Sequence, residues 1–179
     1  VYANKAGIIK TAKDIEGIML RGIGSDFDWQ FFKDYIVAGE PFVVTDSVKS
    51  KQVIISQATA KKLRVELGDK LLVYFVQKPV RMRKLTISGI YKTGLEEYDK
   101  RFALMDIKHI QKINGWESDD IGGYEVFLTD VSRLDTLTTT IHNTIDEKLI
   151  AQSIKEINPN IFEWLALQDM NEQVILALM

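Results

Sequence analysis

The 179-residue sequence contains no cysteine and only two histidines. The absence of cysteine excludes disulfides, thiolate chemistry and most zinc sites, and it is compatible with an oxidising or a reducing compartment. The histidines, His109 and His142, lie far apart and lack the HExxH spacing of a helical metal site. No GxSxG motif or P-loop occurs, so nucleophilic and nucleotide chemistry have no support. We therefore expect neither a cofactor nor a metal.

The sequence also lacks an excess of either charge, with 23 basic and 25 acidic residues and a net charge of -2. The basic residues are scattered except at one point, so there is no electrostatic footprint for a phosphate backbone. We therefore expect no nucleic-acid partner. The 46% hydrophobic content is enough to bury a core as one domain or two small subdomains.

The two ends of the sequence raise two alternatives. The chain begins without methionine or a signal peptide and ends in the apolar run Val174–Met179, VILALM. A membrane-spanning helix needs about 20 apolar residues, so this run could only begin one. We expect spanning segments before Val1 and after Met179. The alternative is an amphipathic C-terminal helix that packs on its own core.

Periodicity predicts strands and helices along the first two thirds of the chain. The strands are expected at residues 7–12, 15–23, 71–76 and 85–91, and the helices at 28–36, capped by Ser25 or Asp26, and at 58–67. The last two strands should form a hairpin with a projecting tip.

The last third of the sequence has a different pattern, which predicts a separate set of strands and helices. Strands are expected at 124–129 and 149–157, with an amphipathic helix between them that a Ser132–Asp135 capping box begins and a final helix from Ile161. This order favours a parallel, right-handed strand–helix–strand unit. The sequence therefore predicts an α+β fold with two small subdomains: residues 1–37 and 118–179 form a discontinuous one, and residues 38–117 form an inserted α/β subdomain.

The first candidate site is the acidic turn, Leu95–Asp99 (LEEYD). Its carboxylates, on Glu96, Glu97 and Asp99, could supply an acid–base pair or bind a hard cation. Adjacent carboxylates in a turn are more often solvated, and no ligand-spaced loop surrounds these. A docking surface is the remaining interpretation.

The second candidate is the basic segment, Gln77–Lys84 (QKPVRMRK), with Met82 between two arginines. It could be a charged hairpin tip that prevents edge pairing of strands. It could equally dock an acidic partner or lipid headgroups, since arginine binds carboxylates and phosphates through two parallel hydrogen bonds. The hypothesis for partner binding comprises ten residues of the two segments: Lys78, Arg81, Met82, Arg83, Lys84, Leu95, Glu96, Glu97, Tyr98 and Asp99.

The order of several segments resembles the extracytoplasmic domain of lipoprotein-releasing permeases of ABC transporters, within the wider FtsX-like and MacB-like group. These segments are GIMLRGIGSDFD at 17–28, VIISQATAKKLRVELGDKLLVYF at 53–75, ISGIYKTGLEEYD at 87–99, GGYEVFLTD at 122–130 and WLALQDMNEQVILALM at 164–179. The resemblance implies a domain between the first two transmembrane helices, with the discontinuous subdomain nearer the membrane. It attaches no catalytic role to the acidic turn. Some members carry a longer hairpin loop at the basic segment that captures a periplasmic lipoprotein carrier, and this chain is shorter there.

The resemblance further implies a non-enzymatic domain on the periplasmic face of the bacterial inner membrane. The expected partners are a separate cytoplasmic ATPase subunit, a second permease copy or paralogue, and a periplasmic protein or lipoprotein cargo. ATP hydrolysis would drive movement or release of that cargo. The alternatives are a freestanding secreted or periplasmic binding protein and a hydrolase that uses the acidic turn.

Overall fold

The computed structural model describes the backbone of residues 1–11 and 14–178, and the side chains within these ranges up to residue 168 and at Met170. Contacts within the chain divide it into two compact units, Val1–Glu125 and Val126–Met179. The side chains of the run Val174–Met179 lie outside the described residues, as does Ala12 of the first predicted strand.

Within residues 1–11 and 14–125, the first unit contains seven strands and four helices. The strands are β1 (Tyr2–Lys10), β2 (Ile15–Ile23), β3 (Ile36–Gly39), β4 (Gln52–Ser56), β5 (Lys70–Phe75), β6 (Arg81–Tyr91) and β7 (Phe102–Asp106). The helices are α1 (Trp29–Lys33), α2 (Gln57–Leu63), α3 (Glu96–Asp99) and α4 (Lys108–Asn114). The predicted strand at 15–23 is confirmed, and so is the hairpin of β5 and β6, in which Phe75 pairs with Arg81.

Six of these strands close into a barrel. The pairings run β6–β4–β7–β2–β1–β5 and return from β5 to β6. The β2–β7 and β4–β6 pairs are parallel and the others are antiparallel. The short strand β3 joins β6 antiparallel, outside this ring. A ring of six strands leaves room inside only for side chains.

Apolar side chains from all six strands fill the barrel. They are Ile9, Ile18, Leu20, Val53, Ile55, Leu71, Val73, Phe75, Leu85, Ile87, Ala103 and Met105. Leu63 of α2 and Ile113 of α4 pack against the same cluster. A second cluster lies around Ile54, Leu104 and Tyr91 and includes aromatic residues of α1 and the segment before it. Helix α1 is capped by Asp28, which accepts from Gln30 N at 2.9 Å, instead of by Ser25 or Asp26.

Helix α2 is shorter than the periodicity predicts. The Ser56 hydroxyl caps its beginning by accepting from Thr59 N at 3.0 Å. The helix ends at Leu63 because Arg64 takes a left-handed conformation with φ of 53°. Gly68, with φ of 88°, then makes the predicted turn into β5.

The second unit is helical in its described residues. It contains a 3₁₀ turn (Val131–Arg133) and helices α5 (Leu134–Thr144), α6 (Ile154–Ile157) and α7 (Pro159–Leu178). The predicted apolar face of α5 is its half-buried face, formed by Leu134, Leu137, Ile141 and Ile145. Over the described residues, no helix combines the length and apolarity needed to cross a membrane.

Several predictions for the last third are wrong. Residues 124–129 form no strand, because Tyr124, Val126 and Phe127 are exposed and no neighbouring strand pairs with them. The predicted strand at 149–157 contains α6 instead. There the Ser153 hydroxyl accepts from Glu156 N, and the Glu156 carboxylate accepts from Ser153 N at 2.7 Å. The parallel strand–helix–strand unit is therefore absent from the described residues, although the α+β class is confirmed.

The predicted beginnings of two helices are also corrected. Helix α5 begins without a side-chain cap, and the Asp130 carboxylate, which accepts from Ser132 N at 3.0 Å, caps the preceding 3₁₀ turn. Helix α7 begins at Pro159 instead of Ile161.

The observed division between units, at Glu125 and Val126, does not coincide with the predicted subdomain boundaries, because β1 and β2 hydrogen-bond into the same barrel as β4–β7.

Candidate functional site

The basic segment does not form one projecting tip. The loop of the hairpin comprises residues 76–80, and Arg81, Met82, Arg83 and Lys84 already belong to β6, where they pair with residues of β5. Side chains alternate between the two faces of a strand. The segment is therefore divided between two directions, which the clustering of charge in the sequence does not reveal.

The direction of each basic side chain follows from Leu85 and Ile87, which are buried inside the barrel. Arg81 and Arg83 share the face of these residues and lie where β6 begins. Met82 and Lys84 lie on the outer face. Arg83 is half-buried, whereas Lys78, Arg81 and Lys84 are exposed.

Apolar side chains accompany the exposed cations at this end of the hairpin. Val76, Val80 and Met82 are all large and exposed, with Val80 at 66%. We call this surface, residues 76–82 with Lys84, the hairpin surface. It combines positive charge with apolar contact area, a composition suited to binding another molecule.

The acidic turn has a structural residue at its end. Helix α3 contains Glu96–Asp99, and Asp99 is 4% exposed. Its carboxylate accepts from Thr93 N at 3.2 Å and from Thr93 Oγ1 at 2.7 Å. Burial, followed by the charge of Asp99, raises the pKa of Tyr91, whose hydroxyl donates to Phe102 O at 2.9 Å. Asp99 therefore fixes the turn between β6 and α3.

The other members of the acidic turn face solvent more openly. Glu96 forms an ion pair with Lys100 at 2.8 Å, and the hydrogen bond from that lysine lowers the pKa of Glu96. Tyr98 stacks on Phe102 with ring centroids 6.1 Å apart. Leu95 and Glu97 are exposed. These side chains form a small solvated surface.

The structure does not bring the two candidate segments together. The basic segment lies where β6 begins, and the acidic turn follows the end of the same strand. An eleven-residue strand separates its ends by about 33 Å, at about 3.3 Å per residue. The ten residues predicted to bind a partner are therefore two surfaces at opposite ends of the barrel.

His109 is a buried residue that the sequence does not mark as unusual. It lies on α4, is 2% exposed, and its Nε2 donates to Ser50 O at 2.7 Å. Burial lowers its pKa to about 4, and the charges of Lys49 and Arg83 act in the same direction. The Ser50 hydrogen bond and Asp106 oppose this shift without reversing it. His109 is therefore neutral near pH 7, with its proton on Nε2.

Other histidine and carboxylate groups do not assemble into a metal site in the part of the chain that the structure describes. His142 is exposed on α5, as expected from its position beside the apolar face of that helix. The Asp106 oxygens accept from Ser50 N at 2.8 Å and Lys108 N at 2.9 Å. Asp106 thus joins the segment before β4 to the beginning of α4.

Comparison with known proteins identifies relatives that share one protein name. Over 142 residues, 74% of the chain, it is 23% identical to the lipoprotein-releasing system transmembrane protein LolC of Xylella fastidiosa, strain Temecula1. Over 150 residues, 78% of the chain, it is 23% identical to the protein of that name from Neisseria meningitidis serogroup B. The chain spans about a third of these curated relatives, 34% and 35% respectively. No protein-family model matches it.

A solved structure shares the fold. The extracellular domain of the noncanonic ABC-type transporter YknZ from Gram-positive bacteria matches with a TM-score of 0.52 and 18% sequence identity. The match covers 76% of this chain and 67% of that one. The predicted resemblance is therefore confirmed: the chain is similar to part of the LolC lipoprotein-releasing transmembrane proteins and shares the fold of an extracellular domain of an ABC-type transporter.

Proposed function

We propose that this chain is the non-catalytic periplasmic domain of an ABC transporter permease, coupled through flanking membrane helices to a cytoplasmic ATPase. The similarity to LolC over three quarters of the chain is the observation that carries this proposal. The shared fold with an extracellular transporter domain gives further support. A lipoprotein is the cargo that the relatives' name suggests, and a second permease copy or paralogue completes the transporter.

The location of the domain can be tested by cysteine labelling, since the chain contains no cysteine. In the full-length parent protein, Val80→Cys is expected to react with a membrane-impermeant maleimide in spheroplasts whose inner membrane is intact. Val80 lies in the exposed hairpin loop. Mass spectrometry of the labelled protein measures the modified fraction at this residue.

Val73→Cys is the matched control, because Val73 is fully buried in the same hairpin. It should remain unlabelled until the protein is denatured. Labelling of Val80→Cys only after the inner membrane is permeabilised would place the domain in the cytoplasm and contradict the proposal. Recovery of the labelled chain in the soluble periplasmic fraction, free of a membrane-bound parent, would favour a freestanding binding protein.

We further propose that the hairpin surface docks the partner or cargo. Its exposed cations attract acidic groups, and its valines and Met82 supply apolar contact. Since the acidic turn lies at the other end of the barrel, it belongs to a separate contact. Arg81 and Lys84 belong to this surface because they are exposed, whereas Arg83 is half-buried and lies outside it.

Replacing both Arg81 and Lys84 with serine in the full-length transporter is expected to reduce ATP-dependent cargo release. Stability should change by only about 0.5 kcal/mol or less per site, as is usual for exposed positions. The Lys33→Ser, Lys148→Ser pair is the matched control, because it removes the same charge from two other exposed sites. Equal release by both double variants and the unsubstituted transporter would show that the hairpin surface does not dock the cargo.

A further inference from the structure

We propose that Lys49, Arg83 and Lys112 form a binding site for a tetrahedral oxyanion, such as a phosphate group, at the end of the barrel where β6 begins. The three cations come from separate elements: the segment before β4, strand β6 and helix α4. The site is distinct from the hairpin surface. It also does not depend on the permease proposal, because it concerns only contacts within this chain.

The pairing of β4 with β6 brings the segment that carries Lys49 towards the beginning of β6. Gln52 pairs with Thr86 in a parallel ladder, and Thr86 N donates to Lys51 O at 2.9 Å, which continues the contact towards the preceding residues. Lys49 lies three residues before Gln52, and Arg83 lies three residues before Thr86. Arg83 is on the face that points into the barrel end, and its positive charge acts on Lys49.

Helix α4 contributes the third cation. His109 holds the segment that carries Lys49, because its ring donates to Ser50 O at 2.7 Å. Lys112 follows His109 by three residues, a spacing that places both on one side of a helix. The positive charges of Arg83 and Lys112 act on Lys49 and lower its pKa, after the larger effect of burial. Arg83 and Lys112 are therefore each close enough to Lys49 to repel it.

This concentration of positive charge has little internal compensation. Within residues 1–11 and 14–168, none of the three cations forms an ion pair. The carboxylate that acts on Lys49 is Asp106, and both its oxygens already accept backbone hydrogen bonds. Nearby positive charges disfavour the charged form of a half-buried lysine. A bound anion would offset this repulsion.

The chemistry of the three side chains indicates a tetrahedral oxyanion. Arg83 Nη1 donates to Met82 O at 2.8 Å. Its remaining guanidinium donors can bind oxygens of phosphate or sulfate, and two ammonium groups add charge from other directions. The source could be free phosphate or the phosphodiester of a lipid headgroup. A phosphodiester presents two charged oxygens and free phosphate presents more, so a guanidinium can donate two hydrogen bonds to either.

The primary test is a sulfate titration of the 179-residue chain, followed by NMR at pH 6.5. Sulfate keeps its double charge at all pH values of interest. We expect saturable shifts of the Lys49, Ser50 and Lys112 backbone amides, beyond those that chloride causes at equal ionic strength. Shifts no larger than those in chloride would refute the site. Separate titrations with inorganic phosphate and with glycerophosphoglycerol distinguish a free ion from a lipid headgroup by which one binds more tightly.

Variants locate the site. Arg83→Gln and Lys112→Gln are each expected to weaken sulfate binding by about tenfold, the effect of losing one charged hydrogen bond. Arg81→Gln is the matched control, since Arg81 lies on the same strand and face but is exposed, and it should change affinity less than about twofold. Lys112 is also exposed, so its variant tests the site even if Arg83→Gln unfolds. Equal effects of all three variants would indicate nonspecific charge attraction and contradict the proposal.

His109 supplies a second readout. Lys49 and Arg83 lower its pKa, with burial as the larger cause and with Asp106 and the Ser50 carbonyl opposing them. An anion that neutralises the two cations should therefore raise the pKa of His109 from about 4, by about 0.5 to 1 pH unit. By linkage, sulfate should bind more tightly as the pH falls through the interval between the pKa of His109 with the anion bound and its lower pKa without the anion. His142, exposed in the other unit, is the internal control, and parallel shifts of both histidines would contradict a local site.

Discussion

Replacing Phe75 with alanine is expected to lower the free energy of unfolding of the barrel by about 4 kcal/mol, since truncating a buried phenylalanine costs about 3–5 kcal/mol. Phe75 is 1% exposed and ends β5. It pairs with Gly7 of β1 on one side and with Arg81 of β6 on the other. Gly7 has no side chain that could move into the vacated space, so a cavity should remain.

Hydrogen exchange of the β5 and β6 amides measures this effect in the first unit alone, because exchange reports local stability residue by residue. Phe31→Ala is the control. Phe31 is 61% exposed on α1, and its truncation should cost less than about 1 kcal/mol. If the two variants destabilised the strands equally, Phe75 would not lie inside a closed barrel.

Replacing Gly39 with alanine is expected to cost about 3 kcal/mol and to detach β3 from β6. Gly39 has φ of 74°, a conformation that costs other residues about 1–2 kcal/mol. An added Cβ would also lie 2.2 Å from Ser88 O and 3.0 Å from Gly89 Cα. These are backbone atoms of β6 and cannot rotate away, so overpacking adds about 1–3 kcal/mol.

Two other glycines separate these causes. Gly68 has φ of 88° but no atom within 4 Å of an added Cβ, so Gly68→Ala should show the conformational cost alone. Gly17 has neither a positive φ nor a close neighbour, and Gly17→Ala should be within about 0.5 kcal/mol of the original. Chemical denaturation ranks the three variants. A Gly39→Ala effect no larger than that of Gly68→Ala would mean that β3 does not pack closely on β6.

The local elements of the first unit could be predicted from sequence because their signals are local. The apolar alternation of residues 15–23 gives β2, and the two apolar runs around the basic segment give the β5–β6 hairpin. Barrel closure could not be predicted in this way. The parallel pairs β2–β7 and β4–β6 join residues far apart in the chain, and no short pattern specifies them.

Two failures show how context overrides local pattern. Residues 124–129 alternate as a strand would, but alternation without a partner strand does not form a sheet. At 149–157, the apolar residues suggest a strand, whereas the reciprocal hydrogen bonds of Ser153 and Glu156 begin a helix. The capping pattern S-x-x-E was present in the sequence and could have corrected this prediction.

The sequence indicated which segments carry the candidate surfaces, but not how the side chains of those segments are arranged in space. Charge density in QKPVRMRK marks the basic segment, yet only the start of β6 at Arg81 separates Arg83 from Lys84. The cluster of Lys49, Arg83 and Lys112 gives no signal in sequence, because its members come from three distant segments. Likewise, the sequence does not reveal that His109 is buried.

We expect strand β6 to have a mechanical role, because of its length and its neighbours. It hydrogen-bonds to β4 on one side and to β5 and β3 in succession on the other. A pull on the hairpin loop moves β5 and β6 together, so it loads their pairings with β1, β3 and β4 in shear, with many hydrogen bonds resisting together. The strand cannot peel away one bond at a time. We therefore expect the barrel to be stiff along β6 and to transmit force from the hairpin loop to the acidic turn with little deformation.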